Sequence, residues 1–189
     1  MQIKYFGKKS KWENISRDER FFCAHLFFEI KNNPAPFLKL LVKKNIIAPK
    51  DVNPDFWEIG FEVCFYRDYV FEIGEKNGNK FISKSKYSRK RTFDLCLFSN
   101  HSIIIIEAKS HSGFDSKQLI SFKKDEEQIK SLLDDKSISV ISIALFSELY
   151  KPKSKTLDGF NCKITWKEMY KIYNNELFQR ANKTELKED

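Results

Sequence analysis

Ser102-Ile103-Ile104-Ile105-Ile106-Glu107-Ala108-Lys109 is the stretch that decides how this chain folds. Four consecutive isoleucines favour an extended strand, and their side chains alternate between its two faces. A strand apolar on both faces has to be covered on both, which places it inside a sheet with helices on either side. The same strand runs on into Glu107 and Lys109. Residues two apart share a face, so these two charges point one way and Ala108 points the other. Charges at the end of the most buried strand cost free energy unless they are paired or serve a site.

The segment just before it has the same character. Phe93-Asp94-Leu95-Cys96-Leu97 is an apolar run broken by one acid. Ser99-Asn100-His101 supplies a turn between strands expected over 92–98 and 102–109. A tight hairpin centred on Asn100 and His101 sets Phe98 opposite Ile103 and Cys96 opposite Ile105. The same register sets Asp94 opposite Glu107 and Thr92 opposite Lys109. Opposed residues have Cβ atoms about 4.5–5.5 Å apart. Two carboxylates at that spacing repel, and a divalent cation between them reverses the sign. Hard oxygen ligands suit Mg2+ or Mn2+.

Farther out the pattern alternates between helix and strand. Ser16 and Glu19 form a Ser-x-x-Glu capping box opening a first helix, which carries Phe21, Phe22, Ala24, Leu26, Phe27, Phe28 and Ile30. Asn32-Asn33-Pro34 ends it. A second helix is expected over 36–44, with Phe37, Leu40 and Leu41 inward. Residues 57–66 alternate apolar and polar, a half-buried strand. Asn77-Gly78 between Phe71 and Phe81 marks a hairpin turn. A helix over 115–133 places Phe122, Ile129 and Leu133 on one stripe. Residues 139–146 read as another buried strand. Thr165 and Glu168 form a second capping box, opening a final helix that runs to about 180. The order gives an α/β domain around one mixed sheet. The whole of 1–189 forms that single domain, with a basic N-terminal segment over 1–14 and a frayed tail over 182–189.

The chain's 189 residues suffice for one buried core, and 18 of them are Phe, so that core is expected to be aromatic-rich. A net charge of +8 fits a polyanionic partner. Lys84, Lys86, Arg89, Lys90 and Arg91, with Tyr87 among them, form a basic loop leading into the Asp94 strand. It reads as a set of phosphate contacts or as an ordinary solvated charge run. No apolar run reaches the roughly 18–20 residues of a membrane span, and the N-terminus lacks a signal-peptide core. Cys23, Cys64, Cys96 and Cys162 form no Cys-x-x-Cys pair and read as reduced, buried thiols. These features point to a cytoplasmic protein.

An acid on one strand followed by Glu-x-Lys on the next resembles the signature of the PD-(D/E)XK nuclease family. Asp94 matches the first acid, Glu107 the second and Lys109 the lysine. Phe93 stands where the motif's name has proline, which many members lack. Four other acid-x-Lys tripeptides, Glu29-x-Lys31, Asp115-x-Lys117, Asp134-x-Lys136 and Glu185-x-Lys187, lie in expected helices, helix ends or the tail. The resemblance implies a restriction endonuclease-like αβββαβ core, with a central mixed sheet flanked by helices. It implies Mg2+-dependent hydrolysis of DNA, double-stranded by expectation, with Mn2+ as a substitute ion. Asp94, Glu107 and the Ala108 carbonyl would be metal ligands. Lys109 would orient or help deprotonate a water, or stabilise the transition state.

Further residues follow from the same resemblance. Glu19 matches a helix-borne acid that reaches the metal through water, although its capping role needs no site. Gln118-x-x-x-Phe122 is similar to the Gln-x-x-x-Tyr element of the RecB-like branch, with the hydroxyl missing; an amide at a stripe's edge is the plainer alternative. Glu62 is either a further ligand or a solvated strand residue. His25, His101 and His111 share no ligand spacing. Cleavage of both strands would favour a homodimer. The rivals to a nuclease are a nuclease-like module that binds nucleic acid without catalysis, and an α/β protein unrelated to nucleic acid in which Asp94 and Glu107 are merely polar edge residues.

Overall fold

The isoleucine strand lies at the centre of a five-stranded sheet. The computed structural model describes residues 5, 11–77, 90–110, 113–114, 116–151 and 156–183, and the backbone alone for 73–77 and 116–121. The strands are β1 (Glu58–Val63), β2 (Phe93–Phe98), β3 (Ser102–Ala108), β4 (Ser139–Phe146) and β5 (Cys162–Thr165), arranged in that order across the sheet. β1–β2 and β2–β3 are antiparallel; β3–β4 and β4–β5 are parallel. The helices are α1 (Glu19–Asn32), α2 (Ala35–Lys43), α3 (Phe65–Asn77), α4 (Ser116–Leu133), α5 (Trp166–Tyr173) and α6 (Glu176–Asn182). The chain is therefore an α/β protein with a mixed sheet flanked by helices.

Alternation along β3 builds two cores. Ile104, Ile106 and Ala108 join Phe22 and Leu26 of α1, Leu38 and Leu41 of α2, and Trp166 of α5. Ile103 and Ile105 join Tyr66 and Val70 of α3 and Phe122 and Ile129 of α4. Covering β3 on both faces is what its isoleucines require. Among the described residues no helix is long and apolar enough to cross a membrane. Cys23, Cys64, Cys96 and Cys162 are free thiols, and three of them are buried, Cys64 being half-buried.

Several expected boundaries move. No hairpin precedes Asn77; residues 65–77 form α3 instead. Phe65, Tyr66 and Val70 fall on one helical face and are buried, so helical spacing wins over the turn signal of Asn77-Gly78. Asn next to Gly marks a helix end as readily as a hairpin. Phe81 lies outside the described residues. β1 ends at Val63 because α3 begins at Phe65.

The first helix starts later than Ser16. Asp18 is its N-cap, with its side chain accepting from the Arg20 N–H, and Ser16 is buried outside the helix. The Thr165–Glu168 capping box forms in both directions. The helix it opens stops at Asn174, whose φ of 52° is left-handed, and Asn175 caps α6. β5 is an addition to the expected strands: Cys162-Lys163-Ile164-Thr165 alternates buried and outward residues, but over only four positions, the shortest run that reads as a strand. Asn182, the first residue of the expected tail, is buried, and its Oδ1 accepts from the Glu148 and Lys167 N–H groups at 2.9 and 3.2 Å; residues 184–189 lie outside the described residues.

Candidate active site

Leu95–Ile106, Cys96–Ile105, Leu97–Ile104 and Phe98–Ile103 are opposed across β2 and β3. This is the register of a hairpin centred on Asn100 and His101. The paired ladder stops at Leu95–Ile106, one step short of Asp94 and Glu107, which are near enough for the Glu107 charge to act on Asp94. There the Asp94 carboxylate, in place of a backbone carbonyl, accepts the Ala108 N–H at 2.8 Å.

The neighbouring strand also departs from regularity at this level. Phe61 and Leu95 are opposed and pack on the α1 side; Val63 and Phe93 are opposed and pack on the α3 side. On regular strands residues two apart share a face. The phase changes between them at Glu62, a non-glycine residue with φ of 51° in the left-handed region.

Lys109 is the hub of the site. Its Nζ donates to Glu107 Oε1 at 3.0 Å, to Glu19 Oε1 at 3.1 Å and to the Ala108 carbonyl at 3.0 Å. Glu19 also accepts from the Ser110 N–H at 3.2 Å, which pins the first turn of α1 to the end of β3. Because Asp18 caps the helix, the Glu19 carboxylate is released to the site, and the capping-box reading of Glu19 does not hold. Glu107 and Lys109 are only 5% and 6% exposed, so this is a buried charge cluster rather than a pair meeting solvent.

Burial dominates the electrostatics. Desolvation, reinforced by the Glu107 carboxylate, pushes Asp94 up to about 7, against the opposing pull of the Ala108 N–H and Lys109. Glu19 is also raised by burial, with Lys109 opposing. Burial alone would lower Lys109. Glu107, Glu19 and Asp94 together outweigh it and raise its pKa, so the ammonium keeps its proton at neutral pH.

The donor set fits a hard divalent cation in kind: three carboxylates and a backbone carbonyl at one strand end. The cluster holds more acid than one ammonium neutralises, and the Glu107 charge adds to burial in raising the Asp94 carboxyl. Among the described residues, however, no three His, Cys, Asp or Glu side chains are gathered into a ready ligand group. Lys109 stands between Glu19 and Glu107, bonded to both.

Other expected residues scatter. Lys84, Lys86, Arg89 and His111 lie outside the described residues, and so does the side chain of Gln118, whose backbone belongs to α4. Lys90 is exposed. Arg91 turns inward: its Nε donates to Asp125 Oδ2 at 3.1 Å, and its guanidinium lies over Phe122 at 4.4 Å and Phe93 at 5.0 Å. That makes Arg91 a brace of the fold instead of the solvent-facing phosphate contact expected of the loop. Glu62 ion-pairs with Arg20 at 3.6 Å.

Two supports were not anticipated. The buried Trp166 donates its indole N–H to the Lys109 carbonyl at 3.0 Å, and Phe114 places its ring 5.7 Å from Lys109 Nζ. Only the capping box just before Trp166 hints at its position, because it fixes where α5 starts. Comparisons with protein-family models, with curated proteins and with solved structures found no match.

Proposed function

We propose that this chain is a Mg2+-dependent nuclease of the PD-(D/E)XK type that hydrolyses phosphodiester bonds in DNA. The observation that carries the proposal is the Lys109 ammonium bonded to both Glu107 and Glu19 at the end of a buried strand, with Asp94 of the next strand held on the Ala108 N–H. The order α1-β1-β2-β3-α4-β4, with α2 and α3 set aside, supports a restriction endonuclease-like core. The net charge of +8 supports a polyanionic substrate.

Asp94, Glu107 and the Ala108 carbonyl would hold Mg2+, or Mn2+ in its place, with Glu19 at the edge. When bound, the ion supplies charge neutralisation for the phosphate and acidifies a coordinated water. Lys109, held charged by three carboxylates, acts as a donor: it orients a water or stabilises negative charge building on the phosphate, and it does not take a proton. A proton leaving the attacking water has to reach a carboxylate. Glu19, outside the Asp94–Glu107 ligand pair and raised by burial, is the acceptor the cluster offers. Trp166 and the Asp94–Ala108 bond keep the strand end in place while this happens.

Purified protein incubated with linear and supercoiled DNA tests the reading. With Mg2+ the wild type is expected to nick or cut. Asp94→Asn, Glu107→Gln and Lys109→Met are each expected to lose at least about a hundredfold in rate, the scale of one transition-state contact. Equal cutting by all four proteins would remove the site assignment. Salt-sensitive DNA binding with no ion-dependent cleavage would hand the fold to the binding-module reading.

A further inference from the structure

We propose that Arg20 grips a DNA phosphate beside the acid cluster and so positions the substrate. This rests on the nuclease reading and adds to it a residue outside the motif. Glu19 is bonded to Lys109 and to the Ser110 N–H, which fixes the start of α1 against the site. The next residue presents a guanidinium whose side chain is 76% exposed. Its Nε lies 3.6 Å from Glu62 Oε1. Glu62 sits on β1 between Phe61, which faces Leu95, and Val63, which faces Phe93, so it is level with Asp94 on the adjacent strand. Arg20 thus follows Glu19 in the chain and pairs with Glu62, which lies level with Asp94 on the adjacent strand.

Charge explains why a cation is wanted there. Until a divalent ion binds, Asp94, Glu107 and Glu19 outnumber the single Lys109 ammonium, so the cluster alone does not attract a phosphodiester. Lys109 is buried and already bonded to two carboxylates. Arg91, the basic residue nearest Asp94 in sequence, is committed to Asp125. An exposed pair at 3.6 Å contributes little to stability and exchanges readily. A guanidinium offers a phosphate two parallel N–H groups, a better match than one long contact to Glu62.

The test compares wild type, Arg20→Gln and Arg20→Lys in two assays. The first is anisotropy of a fluorescent DNA duplex in chelator across a KCl series; the second is Mg2+-dependent cleavage kinetics. Arg20→Gln is expected to weaken DNA binding about 5–20-fold, to lower the salt slope by about one, and to raise KM with kcat nearly unchanged. Arg20→Lys is expected to restore the salt slope while recovering only part of the affinity. Wild-type affinity and salt slope in Arg20→Gln, or a loss confined to kcat, would overturn the Arg20 assignment and leave the nuclease reading standing. A wild-type protein that neither binds nor cuts DNA would overturn both.

Discussion

Asp94 sits where its charge is least welcome, and that has a measurable consequence. Its carboxyl is pushed up to about 7 from an ordinary value of 3.8, chiefly by burial and then by Glu107. Between those limits the folded state holds a proton that the unfolded chain releases, so rising pH costs stability. The penalty is absent below about pH 4 and complete above about pH 7. In chelator, Asp94→Asn is therefore expected to be more stable than wild type at pH 8, with the gap closing as the pH falls to 4. Asn can still accept the Ala108 N–H, so the comparison isolates the charge. Urea melts at several pH values check it, and a gap independent of pH would refute it. Lys109→Met tests the other sign. Removing the ammonium strands buried carboxylates, a loss of about 3–5 kcal/mol in ion-free buffer by the scale of broken buried pairs. Thermal melts in chelator measure it.

At the scale of elements, the hairpin was legible because two apolar runs and a three-residue turn admit one register that keeps both acids on the same side. Glu19's destination was not legible. Whether it caps α1 or reaches Lys109 depends on which residue is the N-cap, and Ser16 and Asp18 both qualify by type. The segment 65–77 misled because an Asn-Gly pair is as compatible with a preceding helix as with a hairpin, while the helical spacing of Phe65, Tyr66 and Val70 was outweighed by that turn signal. The change of face at Glu62 left no trace in the sequence, since Glu fits a solvated strand position. It does leave a prediction. On an ordinary strand Glu62→Val would be neutral or stabilising. At φ of 51° a β-branched side chain is strained, and a loss of at least about 1 kcal/mol is expected, with Glu62→Gly tolerated. Equilibrium denaturation of the two variants decides it; a stable Val variant would mean the strand is regular in solution.

Across the whole molecule, the sheet separates two cores that meet the site from opposite sides. On one side α1 delivers Glu19 and α5 delivers Trp166. On the other, Asp125 of α4 accepts from Tyr66 of α3 at 2.7 Å and from Arg91 at 3.1 Å, bracing the approach to β2. Asp125→Ala leaves the half-buried Arg91 guanidinium without its carboxylate, and a loss of about 3 kcal/mol is expected, read as a fall in melting temperature. The two-sided covering of β3 follows from its isoleucines. Contacts such as Trp166 to Lys109, 57 residues apart, have no sequence signal because they exist only once α5 is packed.

Catalysis at this site requires that the cluster of Asp94, Glu107, Glu19 and Lys109 take up a hard divalent ion. Titration of ion-free protein with Mn2+ at pH 8, followed by calorimetry or by water-proton relaxation, measures that directly. The wild type is expected to bind Mn2+ with a Kd below about 1 mM, weakened at least about tenfold in both Asp94→Asn and Glu107→Gln, as loss of a charged ligand requires. Absence of binding, or binding indifferent to both substitutions, would contradict it.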